Sequence, residues 1–294
     1  LNSGAMAAEL RHAAPTKDSG TEAAFAIVSA IGAVLILAIE TFHRITDYSY
    51  MTTCALVLPF YVCYVAYILR RWLTSSDIQG RVMLVLPNDN PGWSLPALAQ
   101  AAAIFDTAGM ELVFVTLKGG EAPVDKNSAD SSNMTQRAFW MQFEHKTMTT
   151  LKLNRCPAKD FAAIFICNGP TVPSELGTNE VLHSTMRNLY EAGGVIGGVG
   201  LGLTPIAELR LSDGSYLVSG RQASGCAGSS KAQHECHALL LRHGACVHRG
   251  GGGHEALSSD RYAISGRVFT GADDGAALAV AAGMTRALAA LKKI

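Results

Sequence analysis

Tyr190-Glu191-Ala192-Gly193-Gly194-Val195-Ile196-Gly197-Gly198-Val199-Gly200-Leu201-Gly202-Leu203-Thr204-Pro205 reads as a helix end, a tight turn, a buried strand and a sharp turn into a second helix. Gly193 and Gly194 suit a helix C-cap, where positive φ is needed. Val195, Ile196 and Val199 are β-branched, as a central strand prefers. Gly200 and Gly202 flank Leu201 at the strand's C-terminal end, where an open α/β sheet places its chemistry. Small neighbours here also permit the strained strand-to-helix turn of a nucleophile elbow. The tip of that elbow, Gly200-Leu201-Gly202, carries no Ser, Cys, Thr or Asp. The expectation is an enzyme-type fold whose chemical centre has been emptied.

Outward from this stretch, strands and helices alternate. Apolar strands are expected at 82–86, 111–116 and 162–166, and helices at 95–107, 138–150 and 180–192. After the elbow come a hairpin strand at 216–218, a helix at 236–243, a strand at 245–248, a strand pair at 262–264 and 267–270, and a closing helix at 276–291. Such alternation predicts an α/β fold, a flavodoxin-like, doubly wound, mostly parallel sheet with helices on both faces.

The N-terminal quarter is different. Residues 1–22 read as an arm, and residues 23–39 run without a charge. A short polar connection carries Glu40, His43, Arg44 and Asp47. A second uncharged run, residues 48–69, has 22 residues, about 33 Å as a helix at ~1.5 Å per residue. That matches a hydrocarbon core of roughly 30 Å. Tyr48 and Tyr50 at one end and Tyr64, Tyr67 and Trp72 at the other form an aromatic belt. Residues 23–72 are therefore expected to be a transmembrane hairpin, 73–80 a linker and 81–294 the α/β domain. Arg11, Lys17, Arg70 and Arg71 against Arg44 alone place the arm and the domain inside.

Composition limits the function further. The chain has 294 residues, 24 basic and 24 acidic, with a formal net charge of zero. No electrostatic footprint for nucleic acid is visible in that balance. Charged residues make up only 16% and mean hydropathy is +0.20, as expected of membrane-embedded sequence. The seven cysteines form no Cys-x-x-Cys pair, which points away from a disulfide framework in a chain this long. The sequence begins at Leu1, from which a removed targeting peptide or a longer precursor is expected.

Several motifs, in order, resemble the ThiJ/PfpI superfamily, in particular its large heat-shock chaperone and glyoxalase branch. They are Pro91-Gly92-Trp93; Phe105 with Ala108-Gly109; Lys118-Gly119-Gly120 with Pro123 and Asp125; Asp160 to Phe165; Tyr190 to Gly194; Leu211 to Gly220; and Ser265 to Gly271. The resemblance covers about residues 81–290 and implies the class I glutamine amidotransferase-like fold. It also implies a reactive Cys followed by His and Gly at the elbow, where this chain has Gly200, Leu201 and Gly202. The family's acid, a Glu beside the thiol, matches Ala97, and its Gly-Gly pair after the third strand matches Cys167-Asn168-Gly169.

Cys167 is a candidate replacement nucleophile at the end of a strand; the plainer reading is a small buried residue. His234, Cys236, His237 and His248 are metal-type ligands whose spacing fits no closed zinc pattern. Residues 250–253, four glycines, lack the Lys-Ser/Thr of a phosphate-binding loop. No cofactor is expected.

These readings combine into an expectation of a pseudoenzyme. The chain would be a non-catalytic accessory subunit of an organellar membrane complex, with a mitochondrial respiratory complex first. Its partners would be neighbouring subunits and the lipid bilayer, with the domain on the matrix side of the inner membrane and the thylakoid as the other location. The competing expectation is a membrane-tethered ThiJ/PfpI-type glyoxalase or chaperone using a non-standard thiol such as Cys167.

Overall fold

Strands in the middle of a parallel sheet are buried on both faces and read as continuous apolar runs. The computed structural model of the chain, described at residue 40 and over residues 80–130, 132–248 and 261–291, has this sheet at its centre. The chain divides into two units, Leu1–Thr74 and Ser75–Ile294, and every described residue except Glu40 lies in the second. The expected arm and transmembrane hairpin fall outside the described residues apart from Glu40, as does the linker apart from Gly80.

The strands are β1 (Arg81–Val85), β2 (Glu111–Thr116), β3 (Leu151–Lys152), β4 (Ala163–Ile166), β5 (Val195–Val199), β6 (Gln222–Ser224), β7 (Cys246–His248), β8 (Tyr262–Ser265) and β9 (Val268–Gly271). Seven of them form one sheet in the order β3-β2-β1-β4-β5-β9-β8, while β6 and β7 pair separately. All pairings are parallel except β8 with β9. The doubly wound, mostly parallel α/β fold is therefore present.

The helices are α1 (Leu95–Thr107), α2 (Met134–Met148), α3 (Val172–Glu175), α4 (Glu180–Glu191), α5 (Thr204–Glu208), α6 (Lys231–Arg242) and α7 (Ala277–Leu291). Alternate residues of β1 feed two separate cores, because side chains alternate across a strand. Val82 and Leu84 join Phe105, Phe139, Phe143, Val280 and Met284, from α1, α2 and α7. Met83 and Val85 join Leu182, Met186, Ile206, Cys236 and Leu240, from α4, α5 and α6. Among the described residues, Asp274–Leu291 is long and apolar enough to cross a membrane. Within it, however, Ala277, Val280, Ala281, Met284 and Leu288 are buried in the domain, so this is a core helix.

Helix starts follow the side chains available to the unpaired N–H groups of a first turn. Asn133 accepts from Thr135 and Gln136, and Asn179 from Val181 and Leu182. Ser230 and Gln233 form a reciprocal capping box on α6. This box starts α6 five residues before the expected position 236. The expected strand at 216–218 is not a strand: Arg210 and Tyr216 form an isolated bridge across a turn. There Arg210 lies over the Tyr216 ring at 4.3 Å, and His243 stacks on that ring with centroids 3.7 Å apart.

Arg267, in the β8–β9 turn, ties the end of α4 to the start of β5. Its Nη1 donates to Tyr190 O at 2.5 Å and Gly194 O at 2.9 Å, and its guanidinium lies 4.2 Å from the Tyr190 ring centroid. Hydrogen bonds from a charged donor contribute roughly 1.5–3 kcal/mol. Arg267→Ala is expected to lower the unfolding free energy by about 2–3 kcal/mol and Arg267→Lys by less. Urea denaturation of both variants measures this; an unchanged midpoint for Arg267→Ala would remove the clamp.

Candidate functional site

β5 ends at Val199 and the chain turns at once into a single-turn 3-10 helix, Gly200–Leu203, which leads into α5. Gly200 has φ +54°, in the left-handed region that disfavours residues with a Cβ. A Cβ built there would meet Asn168 Oδ1 at 2.6 Å. Gly202 is tighter still, since its Cβ would meet the Ile166 carbonyl oxygen at 2.5 Å. The elbow predicted from sequence is thus present, and the space of a nucleophile side chain at its tip is filled by Asn168.

Asn168 follows β4 and holds the elbow through both ends of its amide. Oδ1 accepts from Leu201 N at 2.9 Å, and Nδ2 donates to Asp274 Oδ1 at 2.7 Å. The other Asp274 oxygen accepts from Ser94 Oγ at 2.5 Å. Ser94 precedes α1 but does not cap it with its side chain, because the hydroxyl is committed to Asp274. Ser94 N donates to Asn168 O at 2.8 Å, closing the circuit. The acid at the elbow therefore comes from the loop after β9. Ala97, expected to mark a lost acid, is fully buried in α1.

Cys167 is fully buried, and its Sγ donates to Ser94 O at 3.6 Å. Burial pushes its thiol well up, with the Asp274 charge adding to the effect. A thiol that does not meet solvent is a poor nucleophile, and the plainer reading of Cys167, a small buried residue, is what the structure shows. The elbow's thiol is Cys226, which the sequence reading left aside. It lies in the loop after β6, half-buried, and its Sγ donates to Gly200 O at 3.1 Å. Two anchors fix that loop: Ser224 N donates to Thr270 Oγ1 at 2.8 Å, and Ala227 N to Ala272 O at 2.9 Å.

Of the metal-type residues, His234 is exposed on α6, His237 is half-buried against Gly225, and Cys236 is buried. His248 ends β7. Among the described residues no three His, Cys, Asp or Glu side chains come together to hold a metal. Two open grooves, one beside Arg81, Glu111 and Phe161 and one between α1 and α2, include no elbow residue.

No family model matches the chain. A putative glutathione-independent glyoxalase from Schizosaccharomyces pombe is 24% identical over 150 residues, which are 49% of this chain and 60% of that relative. The match thus spans less than two thirds of the relative's length. Among solved structures, glyoxalase III from Candida albicans superposes with a TM-score of 0.60 at 16% identity, covering 71% of this chain and 97% of that one. The 24-kDa rapid encystment protein of Francisella tularensis gives 0.61 at 17% identity over 71% and 99%. Drosophila melanogaster DJ-1beta gives 0.52 at 16% over 73% and 93%. The fold is that of the ThiJ/PfpI/DJ-1 superfamily.

The glyoxalase relatives overturn the expectation of a non-catalytic respiratory-complex subunit, and with it the pseudoenzyme reading. The physical reason lies in Cys226: the empty tip at Gly200 does not leave the elbow without a thiol, since one reaches it from another element.

Gly200→Cys should not simply restore the superfamily's nucleophile. The new Cβ would meet Asn168 and occupy a backbone region that costs about 1–3 kcal/mol for a residue with a side chain. The expected outcome is a lower thermal midpoint. An unchanged midpoint for Gly200→Cys alone would refute this account of the elbow.

Proposed function

We propose that the domain is a glyoxalase-type enzyme that converts an α-oxoaldehyde to a 2-hydroxy acid without glutathione, with Cys226 as its thiol. The observation that carries this reading is the placing of a half-buried thiol 3.1 Å from the carbonyl oxygen of the elbow residue. Support also comes from the glyoxalase names of the sequence relative and of one structural neighbour.

In this reading Cys226 sulfur adds to the aldehyde carbon, and the carbonyl oxygen takes up a proton to give a hemithioacetal. The former aldehyde hydrogen then moves as a proton to the adjacent carbon. That step leaves a thioester of the 2-hydroxy acid. Water cleaves the thioester, so the net change is addition of one water to the substrate and the thiol is returned. The neighbouring Cys236 and burial both push the Cys226 thiol up, so the proton stays on Cys226 in the resting site and leaves only as the sulfur adds to the aldehyde. Asn168 and Asp274 act as positioning residues that hold the Leu201 N–H and the elbow in place.

Methylglyoxal turnover tests the reading. The chain should produce lactate without added glutathione, Cys226→Ser should lower kcat/KM by at least about 100-fold, and Cys167→Ala should leave most activity. No turnover by the unaltered chain, or full turnover by Cys226→Ser, would defeat it.

We further propose that residues 23–72 tether this domain to a lipid bilayer. Support comes from the uncharged runs at 23–39 and 48–69 and the aromatic residues that border the second. The expected outcome is retention of the full chain in the membrane pellet after alkaline carbonate extraction; release of intact protein would end the tether proposal.

A further inference from the structure

We infer that α2 pairs, antiparallel, with α2 of a second copy of this chain through its outward stripe of methionines. This pairing is independent of the reaction at the elbow.

α2 has two opposite apolar faces. The inner face is taken up by the fold: Phe139 and Phe143 are buried, with their ring centroids 6.2 and 5.8 Å from that of Phe114 on β2. The Asn133 side chain caps the first turn. A helix already held in this way adds little ordering cost to an association. The outer face carries Met134, Met141 and Met148, which are 83%, 90% and 50% exposed. They recur every seven residues, just under two helical turns, and so form one line along the helix. Ala138 and His145 each follow a methionine by four residues and are also exposed. Steps of four and three in alternation are the seam of a helix pair. Away from α2 and the nearby Leu151, the large exposed apolar side chains are scattered. Val181, Leu241 and Ile264 are single on their elements, and Leu278 and Leu291 lie at opposite ends of α7.

The charges beside the seam point to a second copy as the occupant. Arg137 and Glu144 lie on one flank and are exposed, and among the described residues neither side chain makes an ion pair. Reversing one helix about a twofold axis brings each flank onto itself. Arg137 then faces Glu144 of the second copy, and Glu144 faces Arg137 of the second copy. The stripe is thus self-complementary, as a twofold interface must be, and flanking charges of this kind set orientation. A parallel pair would instead turn Arg137 toward Gln142 and Glu144 toward Thr149, leaving both charges without a counterpart. The antiparallel alignment also sets large against small, with Met141 opposite Ala138 of the second copy. Ala138 lines, with Ala99 and Ala103 of α1, an open groove of about 340 Å³. A methionine is the side chain best able to adapt to such a groove.

A contact centred on one 15-residue helix belongs to the small, weak class of interfaces, so it is read as a function of concentration. The purified full chain, in a density-matched detergent, is taken to sedimentation equilibrium over roughly 1–500 µM. The expected result is a reversible monomer–dimer equilibrium. Arg137→Glu or Glu144→Arg sets like charges opposite each other twice and should weaken it about tenfold or more. Both residues are exposed, so neither change touches the core, and circular dichroism checks the fold of each variant. Mixing the two single variants should restore association, because each supplies the charges the other lacks. A chain carrying both changes should pair with itself as the unaltered chain does. Met141→Glu should abolish the dimer. A chain that stays monomeric at the highest concentration, as it would if a lipid surface or a different protein covers the stripe, overturns the inference. A dimer unchanged by either charge reversal, or single variants that do not recover on mixing, overturns it as well.

Discussion

The Asn168 amide decides what this elbow can be. Its Oδ1 accepts from the Leu201 N–H at the tip, and its Nδ2 donates to the Asp274 carboxylate. That pairing joins the end of β4, the end of β5 and the start of α7. It also fills the volume that a side chain on residue 200 would need. The Gly at 200 and the Asn at 168 are therefore one feature, not two. With Gly200 at φ +54° and its Cβ space occupied, the backbone turn is kept while the side-chain chemistry is displaced to a neighbouring element.

Much of the sheet was legible because its signals are local. β2 and α1 lie where Glu111–Thr116 and Leu95–Thr107 were expected, since an uninterrupted apolar strand and an Ala-rich run opened by Pro96 need no distant information. The Val195–Val199 strand and the turn at Gly200 were equally readable from β-branched residues followed by small ones. β6 was missed because Gln222-Ala223-Ser224 has neither length nor alternation; it is held by β7 and by Thr270 from β9. The start of α6 was missed because Cys236 and the following leucines drew attention, while its Ser-x-x-Gln capping box lies earlier. Tyr216 to Val218 looked like a strand by composition, yet the segment serves as a platform on which Arg210 and His243 pack.

The site was less legible than the fold for a different reason. Its parts are far apart in sequence: Asn168 and Asp274 are separated by 106 residues, and Ser94 and Asp274 by 180. A search for an acid at the superfamily's usual place leads to Ala97, which lies in the core, and misses Asp274. A search for a thiol at the end of a strand leads to Cys167, which burial silences. The elbow thiol, Cys226, carries no motif of its own. The nearest sequence signal was the Cys/His-rich stretch beginning at His234, read as possible metal ligands. In the fold Cys236 is instead buried in the core beneath α6.

Displacing the thiol from the elbow tip to the adjoining loop changes its physical setting. A nucleophile on the tip is held by the strained backbone and the helix that follows. Cys226 is held by side-chain and backbone anchors on either side, through Ser224 and Ala227, and by its own S–H bond to Gly200 O. A thiol at the tip would instead face Asn168. The thiol at this elbow is thus fixed by the loop after β6 and not by the elbow backbone, so its position depends on the anchors to β9 and the residue that follows it.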